Sequence, residues 1–280
     1  MTPRNLPSCS VRAILALCLI SLGGGCACFL PASDTSTPSK PVLLYSLYYN
    51  AEGENRYPVD GVYSEVVKEL GKDFEVRAHR EPLNPKTLAD VNLVLIANAN
   101  EQAVPGHPPP PHVSDADIKA LTRFVQHGGG LIVMQNQENH NVEVEAMNRL
   151  LARFGIQTTN LYTDAKLIAI PREAPVLGGL RWAYIIGNSI RIDPLHPAKP
   201  RAIVTNDLNQ KPLRGARNEP GILLATAEPG QGRLAVVTDS GWLINAALNG
   251  EEAGVVVIKE HDNREIIRRL TRWAARLPTP

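Results

Sequence analysis

The run GGGLIVMQNQENHN at residues 128–141 constrains this chain more than any other stretch. A helix must end at the three glycines. Residues 131–134 are apolar and too few for a helix, so they read as a buried strand. Seven polar residues then follow without a break, from Gln135 to Asn141. In an open α/β sheet, ligands bind beyond the carboxyl ends of the strands. The polar run is therefore either a ligand site or a solvated loop leading into the next helix.

The flanking sequence repeats this grammar. Residues 42–47 read as a first buried strand, followed by a polar, aromatic loop to Pro58. Asp60 is placed to cap a helix ending at Leu70, with Val62, Val66, Val67 and Leu70 on one face. Residues 74–78 and 93–97 read as two more strands. Pro105 and Pro108 to Pro111 stiffen the loop 98–112 and exclude helix and strand from it. Ser114 and Asp117 have capping-box spacing, and Ile118, Leu121, Phe124 and Val125 form a helical stripe. A further helix is expected over 142–154, closed by Gly155. This order of strands and helices predicts a doubly wound, mostly parallel α/β sheet of flavodoxin-like, three-layer type. β-like segments at 167–170, 182–192, 202–205 and 222–227 predict a strand-rich second half, either an antiparallel extension of that sheet or an insertion. A strand at 234–238 ends in Asp239-Ser240-Gly241-Trp242, and a last helix spans 263–276.

The N-terminus is different in kind. Arg4 and Arg12 precede the apolar run AILALCLISL, which has the length of a signal core and is too short for a membrane span. Small residues and Cys26 follow it. Three alternatives stand: an ordinary cleaved signal, a lipoprotein signal with Cys26 as the lipidated residue, and an uncleaved anchor. Leu22 lies one place too far from Cys26 for the usual lipoprotein spacing. Residues 1–26 are thus assigned as signal, 27–41 as a Ser/Thr/Pro-rich linker, and 42–277 as the folded domain. The expected location is exported, periplasmic or lipid-anchored to a bacterial envelope, with membrane contact only through the N-terminal anchor.

All four cysteines (Cys9, Cys18, Cys26 and Cys28) belong to this leader region. The domain therefore has no disulfide, thiolate ligand or cysteine nucleophile. Formal net charge is +1. Loss of Arg4 and Arg12 with the signal, and of no acid, makes it −1. That argues against nucleic acid as a partner.

Residues 128–134, the segment ending Phe154-Gly155, APVLGGL at 174–180, and GRLAVVTDSG at 232–241 together resemble the class I glutamine amidotransferase-like superfamily. Within it they are most similar to uncharacterised exported members and trehalose-utilisation-type proteins. The resemblance spans residues 42–277 and implies fold more than function. In catalytic members a cysteine follows the strand matched by 131–134, and a histidine and a glutamate follow a late strand like 234–238. Here those positions fall near Gln135 or Asn136, and near Asp239 and Gly241. A carboxamide cannot supply a thiolate, and an aspartate cannot replace the imidazole. The resemblance thus implies a domain that is not a glutaminase.

The loops after four strands supply the candidate ligand-binding residues: Tyr48, Asn50, Asn98, Asn100, Gln135, Asn136, His140 and Asp239. Carboxamides carry both donors and acceptors and suit sugar hydroxyls, while Tyr48, Tyr49 and Tyr57 offer ring faces. The plain alternative is a solvated, helix-capping loop. Glu52, His140, Asp239 and Ser240 are the candidate acid, base and nucleophile groups of a carbohydrate hydrolase, although Asp239 and Ser240 equally read as helix caps. His107, His112, His140 and Asp239 match no metal-ligand spacing, and no metal or cofactor is assigned. Five arginines on the last helix read as a solvated face or as a contact for anionic lipid. Two functions remain open: a binding domain for a small polar ligand, glycan or envelope partner protein, and a hydrolase of the same fold.

Residues 48–58, 98–112, 135–141 and 239–240 are expected to converge on one cleft, with Gln135 or Asn136 at its floor and residues 104–112 as a wall. The leader assignment is tested by intact-mass analysis of the membrane fraction. The expected mature chain starts near Cys26; a cytosolic protein retaining residues 1–22 contradicts it.

Overall fold

Five-residue aliphatic runs form the centre of the molecule. The computed structural model describes residues 39–253 and 256–278. The predicted signal with Cys26, and residues 27–38 of the predicted linker, lie outside them. In chain order the elements are β1 (Val42–Ser46), α1 (Ser64–Leu70), β2 (Glu75–His79), β3 (Leu93–Ala97), α2 (Asp115–Gln126), β4 (Gly130–Met134), α3 (Glu145–Leu151), β5 (Ile156–Thr163), β6 (Lys166–Ala169), β7 (Arg181–Tyr184), β8 (Gly187–Ile192), β9 (Arg201–Thr205), β10 (Ile222–Ala227), β11 (Arg233–Val237), α4 (Asn245–Leu248), β12 (Glu252–Ala253), β13 (Val256–Val257) and α5 (Asn263–Ala274).

The main sheet has the order β2-β1-β3-β4-β11-β10-β8-β5, with β9 paired to β10. From β2 to β11 all pairs are parallel. This half has the flavodoxin-like order, with β11 as its fifth strand. The pairs made by β10, β8, β5 and β9 are antiparallel. The strand-rich second half is therefore an extension of the same sheet, with β6 and β7 as a separate antiparallel pair.

Successive strand residues point to opposite faces, and here both faces are apolar, as a sheet covered on both sides requires. Leu43, Tyr45, Leu95, Ile132, Ala235 and Val237 pack with Val66 and Leu70 of α1 and with Ile266, Ile267 and Leu270 of α5. Leu44, Val94, Ile96, Leu131, Val133 and Val236 pack with Leu121 and Val125 of α2 and with Met147 and Leu150 of α3. The glycine run serves this packing. Gly128 adopts φ +112, and a Cβ on Gly130 would sit 2.6 Å from the Ala274 carbonyl oxygen.

Several boundaries differ from expectation for tertiary reasons. Helix α1 begins at Ser64, not at Asp60, and Asp60 does not cap it. Its first turn is instead held by Asn245, whose Oδ1 accepts from Glu65 N at 2.9 Å and whose Nδ2 donates to Ser64 Oγ at 3.0 Å. The helix expected over 142–154 is shorter, because Glu143 caps it from outside: its carboxylate accepts from Ala146 N at 2.6 Å and Met147 N at 2.8 Å. The strand expected over 182–192 breaks at Ile185-Ile186 into β7 and β8. The capping box at Ser114 and Asp117 is present as expected.

The arginines of the last helix do more than solvate it. Arg268 and Arg272 both bond Asp73, at 3.1 and 2.5 Å, just beyond α1. Arg264 lies 3.6 Å from Glu65 and 3.9 Å from Glu69, so the row clamps α5 to α1. Among the described residues, no helix is long and apolar enough to cross a membrane. Asp73 is only 10% exposed and its partners 18% and 26%, so screening is partial. Asp73→Ala is expected to lower stability by about 1–2 kcal/mol in urea denaturation; an unchanged midpoint refutes the clamp.

Candidate functional site

The parallel strands bring their carboxyl ends to one edge, where asparagines replace aliphatic residues. Asn98 follows β3 with φ 45, a left-handed conformation that asparagine tolerates better than most residues. Its peptide N–H donates to Met134 O at 2.7 Å, and its Oδ1 accepts from Asn136 N at 2.9 Å. Asn50 Nδ2 donates to Ala97 O and Asn98 O, both at 3.0 Å. Asn100 accepts from Ala51 N at 2.8 Å and donates to Asn141 O at 3.0 Å. Asn136 is the hub. Its Oδ1 accepts from Ser240 N at 2.7 Å, and its Nδ2 faces Tyr57 Oη at 2.9 Å and His140 Nδ1 at 3.4 Å. Gln135 is fully buried, pairs through its peptide with Val237 O, and donates its Nε2 to Glu143 O at 2.7 Å.

Most of the predicted ligand-binding carboxamides thus spend their hydrogen bonds on neighbouring loops. Asn98, Asn100, Gln135 and Asn136 are buried to 3% exposure or less. What remains open is a cavity of about 300 Å³ lined by Arg56, Tyr57, Asn136, His140, Ile185, Ile186, Gly241, Ile244 and Ala253. Asn136 and His140 reach its wall; Gln135 and the proline loop 104–112 do not.

A second cavity of about 510 Å³ lies across Tyr57, which lines both. Tyr48, Asn50, Glu52, Glu54 and Arg80 are among its lining. Here Glu52 is exposed and faces His107 at 3.6 Å. Glu52, His140 and Asp239 therefore do not share one cavity.

The backbone fixes the chemistry of each polar group. Because Asn136 Oδ1 accepts from Ser240, its Nδ2 must be the atom facing His140, so Nδ1 of the ring is an acceptor and Nε2 carries the proton. Burial, and then the nearby Arg56 cation, lower the pKa of His140, which favours the neutral ring. Arg56 is tied to Glu54 through Nε at 2.8 Å and again through Nη2, and donates Nη1 to His140 O at 3.2 Å. Burial alone would raise the Glu54 carboxyl, but the Arg56 bonds outweigh it and hold the group below its usual range.

Asp239 is fully buried and away from both cavities. Its Oδ2 accepts from Ile185 N and its Oδ1 from Gly241 N, each at 2.6 Å. It ties the break between β7 and β8 to the end of β11. Ser240 is also fully buried, and its hydroxyl has no base hydrogen-bonded to it. Its peptide N–H goes to Asn136 and its carbonyl accepts from Tyr63. Neither Gln135 nor Asn136 has positive φ. The four residues weighed as metal ligands are not gathered. Among the described residues, Glu101, His112 and Glu143 do approach one another within 4.8 Å, but both oxygens of Glu143 already cap α3.

The residues missed from sequence are Arg56 and the apolar wall. Arg56 has a local signal, the Glu54-x-Arg56 spacing beside Tyr57. Ile185 and Ile186 have none, because they read as the middle of one strand.

Comparison with known proteins places the fold. The chain is similar to the mmIFT52 N-terminal domain, with 15% identity and TM-score 0.62 over 83% of this chain and 97% of that one. It is similar to a putative ThuA-like protein from Bacteroides uniformis, with 12% identity and TM-score 0.51 over 88% and 95%. A cold-adapted β-galactosidase from Rahnella sp. R3 matches with 12% identity and TM-score 0.50 over 86% of this chain, which spans 32% of that enzyme. At such identities the likeness shows the fold alone. No family model and no curated protein matches the sequence. The similarity to trehalose-utilisation-type proteins reappears at the level of fold.

Burial raises the Asp239 carboxyl to about 7, against the opposing pull of its backbone donors. An unfolded aspartate titrates near 3.9, so the folded protein holds this proton more tightly. Its contribution to stability is fully present below about pH 4 and is lost as pH rises through about 7. Denaturation midpoints between pH 4 and 8 are expected to fall with rising pH, and Asp239→Asn is expected to flatten that dependence while lowering stability at pH 5, since an amide nitrogen would face a backbone donor. An unchanged pH profile in the variant refutes this assignment.

Proposed function

We propose that the chain is an exported, catalytically inactive amidotransferase-like domain. It binds a small polar ligand, a glycan or a partner protein at the carboxyl edge of its sheet. The carrying observation is the hydrogen-bonding of Asn136, which stands near the nucleophile position of the amidotransferase fold and is committed to Ser240, Tyr57 and His140. A rigid, self-satisfied floor suits recognition, where preformed geometry lowers the cost of binding. Asn136 itself, a committed carboxamide at that position, can neither attack as a thiolate would nor move protons.

The hydrolase reading draws on the candidate carboxylates Glu52 and Asp239. Glycoside hydrolysis needs two carboxyl groups flanking one bond. Glu52 is exposed beside one cavity and Asp239 is sealed inside the protein, which favours binding over hydrolysis. The test is an assay of the purified chain with glutamine and with a panel of nitrophenyl glycosides, beside a binding screen on immobilised glycans and envelope extracts. The expected outcome is no turnover above a heat-treated control, and retention that competes at His140. Release of ammonia or nitrophenol that survives purification overturns the inactive reading.

A further inference from the structure

The cavity beside His140 has walls and a rim of opposite character. Ile185, Ile186, Ile244, Ala253 and the Tyr57 ring supply apolar surface around about 300 Å³, the low end of the size range for small-molecule pockets. The polar side offers donors. Nδ1 of His140 is spent on Asn136, so Nε2–H is what the ring has left to give. Arg56 has five N–H groups, and three are committed to Glu54 and to His140 O, so its remainder are also donors. Among the described residues, the lining includes no carboxylate. The guanidinium charge is balanced by Glu54, only 4% exposed, so the site has little net charge with which to repay the desolvation of an ion.

Resting on the binding reading above, we propose that this cavity takes a neutral, ring-sized apolar group that carries one carbonyl or amide acceptor, the acceptor bonding His140 Nε2–H and the ring lying against Ile185, Ile186 and Ile244. A free monosaccharide fits poorly, because its hydroxyl hydrogens need acceptors and the walls are aliphatic. A carboxylate gains nothing over an amide, because Arg56 is already paired.

Three probes separate these cases: benzamide, benzoate and glucose, each titrated into the full chain while the His140 ring resonances are followed by NMR. Benzamide is expected to bind saturably and to shift those resonances, with benzoate binding no tighter and glucose not binding. His140→Leu is expected to weaken benzamide about tenfold, and His140→Gln, which restores an N–H at a similar reach, to recover most of that loss. Unchanged backbone spectra outside the cavity establish that both variants are folded. Benzoate binding tenfold tighter than benzamide, or equal loss in the Leu and Gln variants, overturns the proposed ligand class. Glucose binding without benzamide binding also overturns it and leaves the binding reading standing. If none of the three probes shifts His140, the proposed ligand class falls, while the binding reading is decided by the glycan and envelope-extract screen.

Discussion

Three strand ends meet at one residue. Asn136 follows β4, takes the peptide N–H of Ser240 after β11, and through its own peptide reaches Asn98 after β3. A buried parallel sheet creates this need. Its strands must stop, and each stop leaves backbone donors and acceptors inside the protein, where an unmet one costs about 1–3 kcal/mol. Carboxamides meet both kinds at once. The edge of the sheet is therefore closed by its own asparagines before any ligand arrives, and the open cavity is displaced to the side, against the break between β7 and β8.

That displacement explains why the fold was far more legible than the site. Apolar runs at β1, β3, β4 and β11 and the stripe on α2 follow from periods of two and 3.6, and the convergence of their polar loops follows from parallel strand direction. The same reasoning could not tell a free asparagine from a committed one. Asn98 and Asn136 look alike in sequence, yet one is sealed and the other reaches a cavity wall. Asp239 looked like an acid poised after a strand; two backbone donors separated from it by 54 and 2 residues make it a latch. The start of α1 is likewise set from a distance, since Asn245, 181 residues beyond Ser64, holds its first turn. Such partners are set by tertiary contact and leave no local pattern.

The two cavities divide at Tyr57, and the Glu54–Arg56 pair stands beside that divide. On one side the lining is polar and open; on the other it is aliphatic with donor tips. The contrast comes from which loops reach each place. The loop after β1 supplies nearly all of the first, whereas the second is assembled from five chain segments.

The position of β11 has a further consequence. It is the fifth strand of the parallel half but the eleventh in the chain, and it separates β4 from β10. Until residue 237 has left the ribosome, the register of β4 has no partner on that side, and the arginines that clamp α1 have not been made. Contacts of such long sequence separation slow folding, because loops must close before they are rewarded. The first 230 residues of a growing chain thus lack the strand that joins the parallel half of the sheet to the antiparallel half. Synthesis order makes closure of this sheet dependent on the last fifth of the chain, because β11 is the strand that pairs with both β4 and β10.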